Sequence, residues 1–133
     1  MKKYIWIVTA VLAIVGGVWL LVSKSIVSND DSDTLTFATI ENEVKTSDTV
    51  LYDVRTEEEY AAGHMSGAKL HDNQDIQQGI YPDEPKDKKI YLYCRSGNRS
   101  AQAAKSLEEA GFTNIIDLGG LNDVQSIGGK LVS

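Results

Sequence analysis

The chain has 133 residues, of which 42% are hydrophobic, and carries 13 Lys and Arg against 19 Asp and Glu for a formal charge of −6. That length admits one domain with an appendage. Residues 1–29 contain three lysines and no acid, so the remainder carries 10 basic and 19 acidic residues, a charge of −9 that argues against a nucleic-acid partner, while one cysteine excludes an internal disulfide.

From Tyr4 to Val22 run 19 residues without a charge. At about 1.5 Å per residue a helix of that length spans roughly 28 Å, close to the thickness of a bilayer core. Lys2 and Lys3 precede it, and Asp30, Asp31 and Asp33 follow soon after. This bias predicts a cytoplasmic amino terminus and an extracytoplasmic remainder. Tyr4, Trp6 and Trp19 lie near the two ends, where interfacial aromatics are favoured. Residues 1–23 are therefore expected to form a single-pass membrane anchor. The alternative is a cleaved signal peptide, whose apolar core is usually about 7–15 residues. Ser23-Lys24-Ser25 is a poor cleavage site because its centre is charged. Residues 24–33 are polar and acidic and read as a flexible linker, leaving residues 34–133 as the globular domain.

Within that domain, residues 35–38 read as a short strand and 41–45 as one or two helical turns. Residues 49–54 are apolar nearly throughout and predict a strand. Thr56 is a plausible N-cap for a helix over 57–62, with Glu59 completing a capping box and Gly63 ending the helix. Short strand and helix signals follow at 68–71 and 74–78, then a loop with Pro82 and Pro85. Residues 89–93 predict a buried strand, 100–110 a helix stopped by Gly111, 114–118 the last strand, and 121–126 a short helix after Gly119-Gly120. Strands alternating with helices argue for a mainly parallel sheet covered on both faces. Ligands in such sheets lie beyond the carboxyl ends of the strands. Cys94 falls at one such end; Asp53 and Arg55 fall at another.

The cysteine lies in Cys94-Arg95-Ser96-Gly97-Asn98-Arg99-Ser100, between the strand at 89–93 and the helix beginning near residue 100. A strand-to-helix turn gathers backbone N–H groups at the positive end of a helix dipole, which favours an anion. Two arginines add positive charge. A thiolate forms readily in such a setting, which points to a nucleophile. Alanines at 101, 103, 104 and 110 let the helix pack closely on the sheet and hold its amino end under the thiol. Other residues read more plainly. Glu57-Glu58-Glu59 is a favourable charge cluster in a helix's first turn. His64 is a turn residue, and His71 has no companion ligands for a metal. Tyr91 and Tyr93 belong to the core, and Lys86, Lys88 and Lys89 to a solvated edge. Asp53 and Arg55 read as a structural ion pair.

Four blocks occur in order: Asp53-Val54-Arg55 with Glu58-Glu59-Tyr60; Gly63-His64-Met65-Ser66-Gly67-Ala68; Tyr93-Cys94-Arg95-Ser96-Gly97-Asn98-Arg99-Ser100; and Leu118-Gly119-Gly120-Leu121. Together they resemble a rhodanese homology domain of the single-domain, exported thiosulfate sulfurtransferase type. The resemblance implies a five-stranded parallel sheet in the order 1-5-4-2-3 with helices on both faces. It implies that Cys94 attacks the outer sulfur of a donor and holds it as a persulfide until a second nucleophile removes it. The N–H groups from Arg95 to Ser100 would cradle the sulfur anion, with Gly97 supplying a positive φ, and Arg95 and Arg99 would neutralise thiosulfate or a similar oxyanion; Arg99 reads equally as a residue that organises the loop by bonding its carbonyls, which leaves Arg95 as the one facing the substrate. No cofactor or metal enters that chemistry. With no second cysteine the acceptor must be external: a small thiol, cyanide or a partner protein's cysteine.

The spacing from Cys94 to Arg99 is C-x4-R, one residue shorter than the C-x5-R loop with which cysteine phosphatases and related arsenate reductases enclose a tetrahedral oxyanion. The shorter loop suits a single sulfur atom. Phosphatase or arsenate reductase chemistry stands as one alternative, and a non-catalytic rhodanese-like interaction module as the other.

Overall fold

Parallel strands that are covered on both faces must be apolar at successive positions rather than at alternate ones, and residues 50–52 and 90–93, inside the segments 49–53 and 89–93, meet that condition. The computed structural model describes residues 34–133, in which both segments are strands. The expected membrane anchor from Tyr4 to Val22 and the linker at 24–33 lie outside the described residues. In chain order the elements are α1 (Phe37–Thr46), β1 (Thr49–Asp53), α2 (Glu57–Ala62), β2 (His64–Met65), β3 (Lys69–Leu70), α3 (Asn73–Gln77), β4 (Lys89–Tyr93), α4 (Asn98–Glu109), β5 (Ile115–Asp117), α5 (Leu121–Ser126) and β6 (Leu131–Val132).

The main sheet is parallel throughout, in the order β3-β1-β4-β5. Val50 stands opposite Ile90 and Tyr52 opposite Leu92, so the two central strands run in full register. Alternation sorts their side chains between two cores. Val50, Tyr52, Val54, Ile90, Leu92 and Cys94 face α3 and α4, where Ile76, Ala103 and Leu107 close over them. Leu51, Tyr91 and Tyr93 face α1 and α5, against Phe37, Ile40 and Val124. Cys94 is thus the last inward position of a core strand, which places its thiol against the amino end of α4.

The sheet has four strands among the described residues, not the five expected. The missing one is the strand expected at 35–38, which is instead the start of α1. Thr36 is its N-cap, its hydroxyl accepting the Thr39 N–H at 3.3 Å. Phe37 and Ile40 are buried and Val44 packs beside them, a helical spacing of three and four. The four observed strands reproduce the last four places of the expected order. An unexpected two-stranded antiparallel ribbon pairs His64 with Val132 and Met65 with Leu131. The lysine edge is also more engaged than its composition indicated. Lys88 bridges Asp48 and Glu84 at 2.9 Å each, Lys89 binds Glu43 at 2.7 Å, and Lys86 sits 3.7 Å above the Phe112 ring.

The Cys94 loop, a candidate active site

Cys94 is fully buried, yet its sulfur is lined by polar donors. The backbone turns immediately after β4. Gly97 takes φ +90°, a left-handed conformation that a side chain would strain, and so caps α4 without a side chain. The turn aims the Gly97 N–H at the Cys94 Sγ over 3.0 Å. The sulfur therefore accepts a hydrogen bond at a helix amino end that has no side-chain cap. The Ser100 hydroxyl lies 3.5 Å from Sγ, 3.1 Å from the Gly97 carbonyl and 3.3 Å from the Gly119 carbonyl. It has one proton for three acceptors. Beside a neutral thiol it donates to a carbonyl and accepts from S–H; beside a thiolate it can turn and donate to sulfur. Burial pushes the Cys94 thiol up, but hydrogen bonds from the Ser100 side chain and from the backbone at Ser100, Ser96 and Gly97 outweigh it. The net direction is down from the ordinary thiol value.

A second layer of backbone holds the turn in place. The Cys94 N–H donates to the Gly119 carbonyl at 3.0 Å, the Leu121 N–H donates to the Arg95 carbonyl at 3.1 Å, and Ser96 bridges Gly120. Gly120 lies so close that a Cβ there would stand 2.9 Å from the Arg95 oxygen and 3.0 Å from Ser96 backbone carbons. Its own N–H donates to Asp123 at 2.7 Å.

The two loop arginines are in different situations. Arg95 is exposed, as are its neighbours Ser96 and Asn98, and it forms no ion pair with any described residue. Arg99, expected either to meet an oxyanion beside Arg95 or to organise the loop through its carbonyls, is engaged by Glu59 of α2. Nη1 meets one carboxylate oxygen at 2.6 Å and Nη2 the other at 2.8 Å. Glu59 also closes the Thr56 capping box, accepting the Thr56 N–H at 3.1 Å. The Arg99 guanidinium holds the Glu59 carboxyl down at about 2, against some loss of hydration.

Asp53 and Arg55 sit one strand away, both buried. Asp53 accepts from the Arg55 N–H and guanidinium and from the Tyr93 hydroxyl, the last at 2.7 Å. Arg55 also reaches the Gly63 carbonyl at 2.7 Å, and the Met65 N–H donates to the Tyr93 oxygen at 2.9 Å. The pair ties β1 and β4 to the turn after α2, and no bond links it to the thiol. His64 stacks on Tyr60 with ring centres 3.8 Å apart, and His71 binds the Ile80 carbonyl at 2.9 Å.

Sequence reasoning did not include Glu59, Gly119, Gly120 or Tyr93 among the site residues. The glycine pair was visible as part of a motif, and Glu59 as a capping residue. Glu59 lies 40 residues from the Arg99 it binds and Gly119 lies 19 from Ser100, while Tyr93 meets Asp53, 40 residues earlier and outside the loop.

Residues 36–126 match the rhodanese-like domain family. The thiosulfate sulfurtransferase PspE of Escherichia coli is 34% identical over 73 residues, covering 54% of this chain and 70% of that protein. The thiosulfate sulfurtransferase GlpE of Pseudomonas fluorescens is 37% identical over 71 residues, covering 53% and 64%. Among solved structures, a rhodanese with anions from E. coli superposes with a TM-score of 0.54 at 32% identity, over 64% of this chain and 98% of that one. The rhodanese-like domain of Alr3790 from Anabaena gives 0.57 at 30% identity, over 64% and 99%. With a parallel sheet, a cysteine at the end of β4 and a family match across most of the described residues, this chain belongs to the rhodanese-like domain family.

Proposed function

We propose that the chain is a sulfurtransferase that carries a sulfane sulfur on Cys94, taking it from thiosulfate or a similar donor and passing it to cyanide or an external thiol. The observation that carries this reading is the 3.0 Å hydrogen bond from the Gly97 N–H to Sγ, in a loop whose donors shift the thiol toward its anion. The thiolate attacks the outer sulfur of thiosulfate, the S–S bond of the donor breaks, and sulfite leaves with the bonding pair. The enzyme retains a persulfide anion. The same amides that favour a thiolate favour the terminal sulfur of that persulfide, and Ser100 has a hydroxyl proton to turn toward it. A nucleophilic acceptor then attacks the terminal sulfur and releases Cys94 as the thiolate. The loop's donors, by shifting the thiol toward its anion, lessen the need for a general base. Exposed Arg95 at the loop surface is the residue suited to meet the donor's negative charge.

The test is intact-mass analysis of the full chain after exposure to thiosulfate. One added sulfur is expected on the wild type and none on Cys94→Ser, and cyanide should remove the adduct as thiocyanate. A wild-type protein that never gains the mass would overturn the reading. One observation favours a different one: Cys94 has no exposed surface, as suits a non-catalytic interaction module. Absence of the adduct together with specific retention of a partner would establish that module. Hydrolysis or reduction of a tetrahedral oxyanion is disfavoured because Arg99, which would enclose such an anion, is held by Glu59.

We further propose that residues 4–22 anchor the protein in the membrane with the domain outside the cytoplasm. Protease added to intact cells should remove the domain; protection until the cells are lysed would refute that orientation.

A further inference from the structure

Resting on the sulfurtransferase reading, we infer that Glu59 is a positioning residue that sets donor selectivity: by holding Arg99 it withdraws one of the loop's two cations, and the site favours singly charged organic sulfane donors over the thiosulfate dianion. Four observations on the structure support this. The Glu59 carboxylate meets both terminal nitrogens of Arg99, the bidentate geometry in which a guanidinium is most fully neutralised. The carboxylate is itself fixed, since the Thr56 N–H holds it in the capping box at the start of α2. Arg95 is then the loop cation without an ionic partner among the described residues. On the same side of the domain, Asp72 acts on Arg99, and Glu57, Asp72 and Asp75 line a cavity of about 260 Å3 with His71 and Leu70. A small dianion approaching this rim meets carboxylates, and the loop's unpaired guanidinium is that of Arg95 alone.

An organic thiosulfonate or persulfide presents the same sulfane sulfur with one charge. For a thiosulfonate the step balances as it does for thiosulfate: the Cys94 thiolate bonds to the terminal sulfur, the donor S–S bond breaks, and a sulfinate leaves with the electron pair. The two donors then differ chiefly in charge at the loop. An interaction with a fixed cation is twice as large for the dianion, so releasing Arg99 should favour thiosulfate selectively.

The experiment measures kcat/KM of the full chain with thiosulfate and with benzenethiosulfonate, cyanide being the acceptor. In Glu59→Gln the capping bond survives, because the amide oxygen still accepts from Thr56, but the charge on Arg99 is no longer cancelled. The thiosulfate-to-thiosulfonate ratio should rise about tenfold, through KM for thiosulfate rather than kcat. In Arg99→Gln the bared Glu59 carboxylate should lower the same ratio, and the double variant should bring it back toward the wild-type value. A purely structural pair would move both donors together. An unchanged ratio in both single variants, with the Cys94 persulfide still forming, overturns the inference while leaving the sulfurtransferase reading intact. Failure of both donors to load sulfur on the wild type overturns the reading itself. If Glu59→Gln does not fold, the fall in ratio for Arg99→Gln alone decides.

Discussion

Gly120 offers a way to loosen the amide cradle without touching a group that contacts the sulfur. Its φ of −91° is open to any residue, so Gly120→Ala carries no backbone strain, and the smaller entropy of the unfolded alanine chain would stabilise the fold by about 0.4–1 kcal/mol. The new methyl group, however, would meet the Arg95 oxygen at 2.9 Å and the Ser96 Cα and carbonyl carbon at 3.0 Å. These are backbone atoms held by the Leu121-to-Arg95 hydrogen bond and the Ser96–Gly120 bridge, so no side-chain rotation relieves the contact. Ordinary carbon contacts lie at about 3.5–4.0 Å, which requires the Arg95–Ser96 backbone to retreat by about half an ångström. Overpacking of this kind costs about 1–3 kcal/mol, and the opposing entropy leaves a net loss of about 1–2 kcal/mol.

The retreat also carries Gly97 away from the sulfur. Lengthening its 3.0 Å bond to Sγ by a similar amount forfeits roughly half of a charged hydrogen bond, about 1 kcal/mol or somewhat under one pKa unit. Far-UV circular dichroism in urea reads the first effect, and the pH profile of Cys94 alkylation by iodoacetamide reads the second. Gly120→Ala should unfold at lower urea, and its alkylation midpoint should move upward. A variant that loses stability but keeps the wild-type alkylation profile would refute the coupling between the Gly120 layer and the thiol. One that keeps both would refute the close approach as well.

Other substitutions test separate parts of the argument. Asp53→Asn should cost about 3–5 kcal/mol, because it leaves the buried Arg55 guanidinium without a counter-charge; urea unfolding showing a loss below about 1 kcal/mol would contradict the pairing as drawn. Ser100→Ala removes a donor that can turn to the thiolate and should raise the alkylation midpoint by about 1–2 units, whereas no shift would mean that the hydroxyl serves only the Gly97 and Gly119 carbonyls. Acid stability follows from Glu59, whose folded pKa of about 2 lies below its unfolded value near 4.3. Its contribution is complete above that unfolded value and is lost as pH falls toward the folded one. For a partly exposed pair the amount is at most about 1 kcal/mol, so the urea midpoint of wild type should fall more than that of Glu59→Gln between pH 5 and pH 2.5, and parallel curves would exclude the pair as a source of acid sensitivity.

What could be read from the chain divides by the range of the interaction that decides it. The segments at 49–53 and 89–93 announce themselves because burial on both faces forces a continuous apolar run at 50–52 and 90–93. The helix at 57–62 is equally plain because Thr56, Glu59 and Gly63 determine its ends locally. Residues 35–38 mislead for a related reason: four residues of mixed polarity fit a strand or a helix start, and the deciding signal is Thr36 followed by buried positions at 37 and 40. The ribbon of β2 and β6 has two residues on each side, too few to show any period, and exists because the tertiary fold brings the carboxyl terminus back to Met65. The turn that prepares the thiol is local as well, since Cys94, Gly97 and Ser100 are close in sequence. The state of Arg99 is not. Nothing within its own loop distinguishes it from Arg95, and it is Glu59, 40 residues earlier, that engages its guanidinium. The distance between reading a thiol-bearing loop and reading the charge that loop presents is therefore the distance between a motif and its counter-charge. The first is set by backbone geometry over seven residues, while the second depends on how two helix starts, those of α2 and α4, meet at the edge of the sheet.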